Sequence, residues 1–250
     1  MIEVKNLMKS FNANLIVNNV STTFIKGKTN LIIGQSGSGK TVLLKSLLGL
    51  HIPDSGEILY DGVSNRKMND SDKTLLRREM GMVFQGSALF DSMTVLENVM
   101  FPLTMLSDKN DEEVRQKAET AIQRVELDKA YNKLPSELSG GMQKRVAIAR
   151  AIVMNPKYLF CDEPNSGLDP RTSIIIDTLI QEITKEFNMT TIINSHDMNS
   201  VMEIGENIIF LVDGEKNWEG TNKEIFKTTN QSITDFVYSS ELLKKVKKYL

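Results

Sequence analysis

The chain has 250 residues with 30 basic and 32 acidic side chains, and its formal charge of −2 provides no general attraction to nucleic acid or anionic lipid. Its hydrophobic fraction of 40% and charged fraction of 25% are ordinary for a soluble globular protein. The single cysteine, Cys161, cannot form an internal disulfide, which predicts a reducing compartment. No apolar run approaches the length of a membrane-spanning helix, so we expect any membrane role to require a partner.

The first 33 residues predict short strands, with turns at residues 12–14 and 26–28. Residues 1–7 alternate apolar and polar side chains as an edge strand does. They lack the apolar core of a signal peptide, so the sequence predicts a strand at this position.

A glycine-rich loop follows the apolar strand pattern of residues 29–33. Residues 34–41 read GQSGSGKT, the phosphate-binding pattern GxxxxGK[ST], and residues 40–50 predict the helix that must follow it. The glycines leave space for backbone N–H groups around a polyphosphate, and the helix start adds the positive end of its dipole. Lys40 can reach the β- and γ-phosphates, and the Thr41 hydroxyl can bind Mg²⁺. The predicted nucleotide-binding residues of the loop are Gly34, Gln35, Ser36, Gly37, Ser38, Gly39, Lys40, Thr41 and Val42.

The rest of the chain alternates between strand and helix patterns. Further strands are predicted at residues 57–60, 81–84, 158–161, 190–194 and 208–212. Helices are predicted over about residues 94–154, 171–187, 197–204 and, as an amphipathic tail, 240–250. This alternation favours a mainly parallel sheet with a helical insertion.

Two further polar clusters lie at the ends of these elements. Asp162 ends an apolar strand, where P-loop enzymes hold Mg²⁺, and Glu163 directly after it is placed to polarise an attacking water as a general base. Ser139 and the glycines at 140 and 141 precede a helix predicted from Gln143. A hydroxyl and bare N–H groups at a helix start predict a second anion site.

The order of these motifs resembles that of the ATP-binding subunit of ABC transporters, over residues 1–228. The resemblance implies an ATPase that binds ATP and Mg²⁺ on an α/β, RecA-like P-loop NTPase core with a mainly parallel sheet. It also implies an N-terminal antiparallel β subdomain, an α-helical subdomain inserted at about residues 91–154, and a C-terminal extension at residues 229–250.

The same resemblance assigns roles to individual residues. It implies a catalytic set of Glu163 as the catalytic glutamate, Gln85 as the glutamine that contacts Mg²⁺ and the attacking water, and His196 as the histidine at the γ-phosphate. The implied metal ligands are Thr41, Gln85 and Asp162. Phe11 falls where family members stack an aromatic ring on adenine, and an ordinary core phenylalanine is the alternative.

The chain carries one P-loop and one LSGGM motif. In ABC proteins the LSGG helix of one subunit covers ATP held by the other, so the resemblance implies a homodimer. The residues implied to contact ATP across that dimer are Ser139, Gly140, Gly141 and Asp169.

Two stretches resemble the Mla- or Mce-type phospholipid-transport ATPases within this family: residues 85–95, QGSALFDSMTV, and residues 138–150, LSGGMQKRVAIAR. The resemblance implies a permease that docks near Gln85–Phe90, an Mce-domain lipid-binding protein and no nucleic-acid partner. It also implies a peripheral position at the cytoplasmic face of the inner membrane. The alternatives are the ATPase of an amino-acid or other polar-solute importer, and a non-transport ABC ATPase such as those of the division site.

Overall fold

The computed structural model describes residues 1–107 and 110–239, and the predicted tail helix at residues 240–250 lies outside them. The strands, in chain order, are β1 (Ile2–Phe11), β2 (Asn14–Phe24), β3 (Thr29–Ile33), β4 (Ser55–Tyr60), β5 (Val63–Ser64), β6 (Met80–Val83), β7 (Tyr158–Asp162), β8 (Thr190–Ser195), β9 (Asn207–Val212) and β10 (Glu215–Gly220). The helices are α1 (Lys40–Leu47), α2 (Asp70–Arg78), α3 (Val95–Leu106), α4 (Asp111–Arg124), α5 (Gly140–Ile152), α6 (Pro170–Glu186), α7 (Met198–Ile204) and α8 (Gln231–Val237). A 3₁₀ turn covers Pro135–Glu137.

The chain divides into two compact units, of which the first comprises residues 1–25, 29–67 and the described residues from 194 onward. Its N-terminal part is an antiparallel sheet in the order β2-β1-β4-β5. The expectation that the first strand is an edge strand was wrong, because β1 pairs with β2 on one side and β4 on the other. The alternation instead reflects a buried face that includes Ile2, Val4 and Leu7.

The first unit also contains the strands that precede and support the P-loop. β9 lies between β3 and β10 in the strand order, parallel to β3 and antiparallel to β10. All five residues of β3 are buried, and Ile32 is in register with Ile209 of β9. This buried pairing fixes the end of β3, where the phosphate-binding loop begins.

The second unit comprises residues 26–28 and 68–193. Its strands β6 and β7 pair in parallel, with Met82 opposite Phe160, and β8 follows β7 in the strand order. Helices α3, α4 and α5 pack on one another in the helical part of this unit. Helix α6 begins with Pro170 at its first position after the Asp169 cap, a combination that suits a helix start.

These elements confirm the predicted α/β class, with an antiparallel β subdomain and otherwise mostly parallel strands. Helix α1 ends at Leu47 rather than near residue 50, and α5 begins at Gly140 rather than at Gln143. The predictions omitted the mainly polar or short elements, namely β5, α2, β10 and α8. Among residues 1–107 and 110–239, no helix combines the length and apolarity that a membrane span requires.

Candidate nucleotide site

The phosphate-binding loop connects β3 to α1 in the first unit. Gly34 and Gly39 both have positive φ angles, of 152° and 96°. A side chain at Gly34 would meet the Leu211 carbonyl at 2.4 Å, and one at Gly39 would meet the Ile16 carbonyl at 2.7 Å. Only glycine fits both the backbone conformation and the space at these positions, which explains the residue type that the motif requires.

Lys40, the first residue of α1, holds the loop closed from inside. Its side chain is 7% exposed, and its Nζ donates to the carbonyls of Gly34 at 2.9 Å and Gln35 at 3.0 Å. The ammonium group is therefore preorganised beneath the exposed residues Gln35, Ser36 and Gly37. A cation and the N–H groups of a helix start are suited to hold a polyphosphate.

The side chains of Ser38 and Thr41 differ in their exposure. The Ser38 hydroxyl is buried and makes no hydrogen bond with any residue that the structure describes. Because a buried hydroxyl without a partner is costly, an incoming acceptor at this loop would be stabilised by it. Thr41 is exposed on the first turn of α1, next to Val42, so its hydroxyl is accessible to a cation.

Phe11, the last residue of β1, presents a ring that is 39% exposed. The Lys9 ammonium lies 5.1 Å from its centroid, and the His51 ring meets it edge-on at 5.1 Å. Lys9 is itself fixed by Asp54 at 2.9 Å, a hydrogen bond that lowers the pKa of that carboxyl. The fixed, partly exposed ring is suited to stacking on a base.

His196 follows β8 and is exposed. The next residue, Asp197, caps α7 by accepting from the Asn199 N–H at 2.8 Å, and its own N–H donates to the Ser195 hydroxyl at 3.0 Å. These local hydrogen bonds fix the turn that carries the histidine.

In the second unit, the structure brings Gln85 and Glu163 together. The Gln85 amide donates to Glu163 Oε2 at 3.0 Å and to the Ser166 hydroxyl at 3.2 Å. Asp162 is the last residue of β7, and Glu163 leaves that strand with a φ angle of 46°. A left-handed glutamate is strained, and such strain is found at functional sites where the surroundings fix the residue.

The start of α5 lies against the start of α6 in the same unit. Ser139 caps α5 by accepting from the Met142 N–H at 3.3 Å, and a side chain at Gly141 would meet Thr172 of α6 at 2.6 Å. Gly140 is exposed. Asp169 caps α6, and its hydrogen bonds with Thr172 lower the pKa of the Asp169 carboxyl. Both caps leave backbone groups and small side chains available at the surface.

The sequence patterns assigned no site role to three side chains that hold the segment after β6, although two of them lie within the motif at residues 138–150. We call residues 85–94 the glutamine segment; Lys144, Arg150 and Asn98 all donate to its backbone carbonyls. A signal for Lys144 was present, because residues 147, 148 and 151 lie on the same helical face and are buried apolar positions. A lysine on such a face is unusual unless it has a partner.

The chain matches the family model described as ABC transporter over residues 17–166. It is 35% identical to the Haemophilus influenzae intermembrane phospholipid transport ATP-binding protein MlaF, over 95% of this chain and 90% of the relative. It is 37% identical to the methionine import ATP-binding protein MetN of Clostridium tetani, over 97% and 76%. It is also 37% identical to the L-cystine import ATP-binding protein TcyC of Bacillus subtilis, over 94% and 96%.

Solved structures of an ABC transporter cassette are also similar to this chain. The dimeric bacterial ABC transporter cassette MJ0796 is 35% identical, with a TM-score of 0.80 over 89% of this chain and 99% of that chain. The same cassette has been solved as a dimer in a post-hydrolysis state bound to ADP and phosphate, with 34% identity, a TM-score of 0.79 and the same coverage.

Proposed function

This chain belongs to the ABC transporter family as an ATP-binding subunit and ATPase, and from that premise we propose that it powers the movement of phospholipids or related lipids through a membrane permease. The observation that carries the ATPase part of the proposal is the 3.0 Å contact between Gln85 and Glu163. This contact joins a candidate catalytic pair at the start of the glutamine segment, and Ala88 and Phe90 in the middle of that segment line an apolar groove.

Nucleotide binding is assigned to the P-loop and Phe11. Lys40 and the N–H groups of residues 34–42 hold the phosphates, and the Phe11 ring stacks on adenine. Thr41, Asp162 and Gln85 offer a hydroxyl, a carboxylate and an amide oxygen, the donor types that suit Mg²⁺. When bound, the metal neutralises charge on the phosphates.

Hydrolysis is assigned to Glu163, and further roles in the reaction are assigned to Gln85 and His196. Glu163 accepts the proton of the attacking water, and Gln85 orients that water while its amide holds the carboxylate at 3.0 Å. His196 contacts the γ-phosphate, where a ring N–H donor stabilises the charge that develops. Because Gln85 also bonds Ser166, the pair is oriented before substrate arrives.

Two copies of the chain are required by this scheme. Oxygens of the terminal phosphate that Lys40 does not reach need donors from elsewhere. The capped, exposed start of α5 offers the Ser139 hydroxyl and the glycine N–H groups of residues 140 and 141, and Asp169 lies at the adjoining start of α6. We therefore propose a homodimer in which these residues contact ATP held by the other copy, as the dimeric relative structures support.

Permease docking is assigned to an apolar groove in the second unit. The groove encloses about 440 Å³ and is lined by side chains of α2, β6, the glutamine segment, α3 and α5. Phe84, Phe90 and Met105 in its lining are 41%, 40% and 65% exposed. Exposed aromatic rings and flexible methionines in one concave surface are typical of a site that accepts an apolar helix face.

Charge at the groove supports the same assignment. Arg77 and Arg78 are exposed at its edge and make no ion pair with the residues that the structure describes. A permease segment with an apolar face and carboxylates would pair with both features. Reversing both charges, Arg77→Glu with Arg78→Glu, should reduce recovery of the permease at least about tenfold when the chain is isolated from membranes.

Lys129→Glu is the matched control, because it reverses an exposed lysine of the same unit outside the groove. Undiminished permease recovery by the double variant would contradict the docking assignment. The ATPase assignment would be unaffected by that result, since the arginines make no contact with Gln85 or Glu163.

The lipid assignment is supported by residues 85–95 and by the likeness to the MlaF relative. A polar-solute importer is the second candidate, because the methionine and cystine import relatives are 37% identical. The accessory proteins distinguish the two. A lipid transporter at the cytoplasmic face of the inner membrane requires an Mce-domain or similar lipid-binding protein, whereas an amino-acid importer requires a solute-binding protein.

A further inference from the structure

The glutamine segment runs from β6 to α3 without helix or strand, yet side chains from helices hold its backbone at several points. Lys144 of α5 donates to the Gln85 carbonyl. Arg150 of α5 donates to the carbonyls of Ser87 and Ala88, both at 2.8 Å. Asn98 of α3 is fully buried and donates to the carbonyls of Phe90, Met93 and Thr94 at 3.0–3.1 Å.

The middle of the segment has a conformation that its sequence does not favour. Ser87 and Ala88 are consecutive non-glycine residues with positive φ angles of 62° and 48°. A non-glycine residue in this conformation is strained unless its surroundings compensate. The two charge-assisted hydrogen bonds that Arg150 donates supply that compensation, because the carbonyls of the two strained residues accept them.

Lys144 is the unexpected member of this set. Its side chain is 5% exposed, and the hydrogen bond that it makes within the described residues goes to the Gln85 carbonyl. Burial lowers the pKa of Lys144, and it raises the pKa of the neighbouring Cys161 thiol, which therefore remains neutral. An apolar residue would pack on this face of α5 without the cost of burying an ammonium group. A buried ammonium group that donates to the Gln85 carbonyl indicates that Gln85 must be held in a fixed position.

We infer that Lys144 is a positioning residue for Gln85, which it anchors to α5 so that the Gln85 amide meets Glu163. The inference rests on the proposed role of Gln85 in orienting the attacking water. Lys144 lies on the same helix as the Ser139 cap, one turn and a half further along. One helix thereby fixes both the glutamine of its own copy and the surface that is offered to ATP of the other copy.

The test is a double-mutant cycle on the ATPase rate of the purified full chain. Lys144→Met keeps the length of the side chain and removes its donor. We expect it to lower kcat about tenfold and to change the KM for ATP less than about twofold, since it acts only through Gln85. In a Gln85→Ala background, the same change should lower kcat less than about twofold, because the group that Lys144 positions is already absent.

Two further variants separate positioning from general destabilisation. Lys144→Arg keeps a cationic donor and should restore most of kcat. Arg145→Met removes a hydrogen bond from the same helix to the Val125 carbonyl, away from the glutamine segment. Any loss of kcat from Arg145→Met should be the same in both backgrounds. If Lys144→Met does not fold, Lys144→Gln replaces it in the cycle.

Amide hydrogen exchange provides a second readout, in which Lys144→Met should increase exchange about tenfold or more at residues 86–88 and leave β7 unchanged. Equal losses of kcat from Lys144→Met in both backgrounds, or no loss in either, would overturn the inference. Undiminished kcat in Gln85→Ala alone would instead overturn the proposed role of Gln85.

Discussion

The P-loop and the glutamine segment are both irregular backbones that carry proposed site residues, but they are held in opposite ways. The P-loop is fixed from within, because Lys40 bonds the carbonyls of residues 34 and 35 only a few positions away. The glutamine segment is fixed from outside, by donors on α5 that lie 59 to 63 positions along the chain. A local loop can be recognised in a sequence, whereas a loop held by distant residues is defined only once the chain has folded.

The largest expected effect is on the chemistry of Glu163, which contacts Gln85 at the start of the glutamine segment. Glu163→Gln keeps the shape of the side chain and removes the base, so turnover should fall at least about a hundredfold. ATP binding should persist, and two copies should remain associated, since no P-loop contact is lost. A fluorescent ATP analogue measures ATP binding, and a steady-state phosphate assay measures turnover.

Glu119→Gln is the control, because Glu119 is a partly exposed residue of α4 that pairs with Arg115. Normal turnover in Glu163→Gln would contradict the assignment of Glu163 as the general base.

The next effect concerns the internally held loop. Lys40→Ala removes a buried cation that supports the loop and that we propose to contact the phosphates, so ATP affinity should fall roughly tenfold to a hundredfold. Lys45→Ala, in the last turn of the same helix, should leave the affinity unchanged. Titration of ATP against both variants by calorimetry measures the difference, and equal affinities would count against the P-loop assignment.

A third change releases the externally held segment. Arg150→Met removes two charge-assisted hydrogen bonds to strained residues and should lower the free energy of unfolding by about 2 kcal/mol. Arg124→Met, which removes ion pairs of a partly exposed arginine with Glu182 and Glu186, should cost less than about 1 kcal/mol. Urea denaturation of both variants compares the two values. Similar losses in both variants would show that the segment does not depend on Arg150.

The smallest effect is at the helix that ends the segment. Thr94 caps α3 in a capping box with Glu97, so Thr94→Ala should cost about 1 kcal/mol. The control is Thr104→Ala, an exposed site on the same helix, which should be nearly neutral. Thermal unfolding of the two variants tests this prediction.

The pH dependence of that cap has a definite sign. Hydrogen bonds from the Thr94 N–H and from the Thr94 hydroxyl lower the pKa of Glu97 below its ordinary value, and Thr94→Ala removes the one from the hydroxyl. A lowered pKa in the folded state gives stability that is present above the ordinary glutamate pKa and is lost as pH falls through the folded pKa. The difference in the free energy of unfolding between wild type and Thr94→Ala should therefore become smaller at acid pH. A difference that stayed constant would contradict this role for Glu97.

The same contrast explains which features could be predicted from the sequence. β7 was predicted because a parallel strand buried on both faces is an unbroken apolar run, and the P-loop because its determinants are contiguous. Helix α2 was missed because none of its residues is buried, and its start depends on the box formed by Asn69 and Asp72. Helix α5 was predicted to start too late, because the glycines at 140 and 141 are poor helix formers that the Ser139 cap admits.

The candidate site also contains features that could be predicted from the sequence and features that could not. Chemical roles could be assigned to Lys40, Asp162 and Glu163 from their motifs and from their positions at the ends of strands. The contact between Gln85 and Glu163 spans 78 positions, and no pattern of composition or periodicity encodes it. The buried helical face that carries Lys144 was a signal for a partner, but the sequence could not name that partner, because the acceptor lies in a distant segment.

The central claim, an ATPase that serves lipid transport, is tested most directly by isolating the chain from gently solubilised native membranes and identifying the proteins and lipids that accompany it. The account predicts a polytopic permease, a lipid-binding protein of the Mce-domain type and bound phospholipid. A permease accompanied by a soluble amino-acid-binding protein, or the absence of any permease, would contradict it.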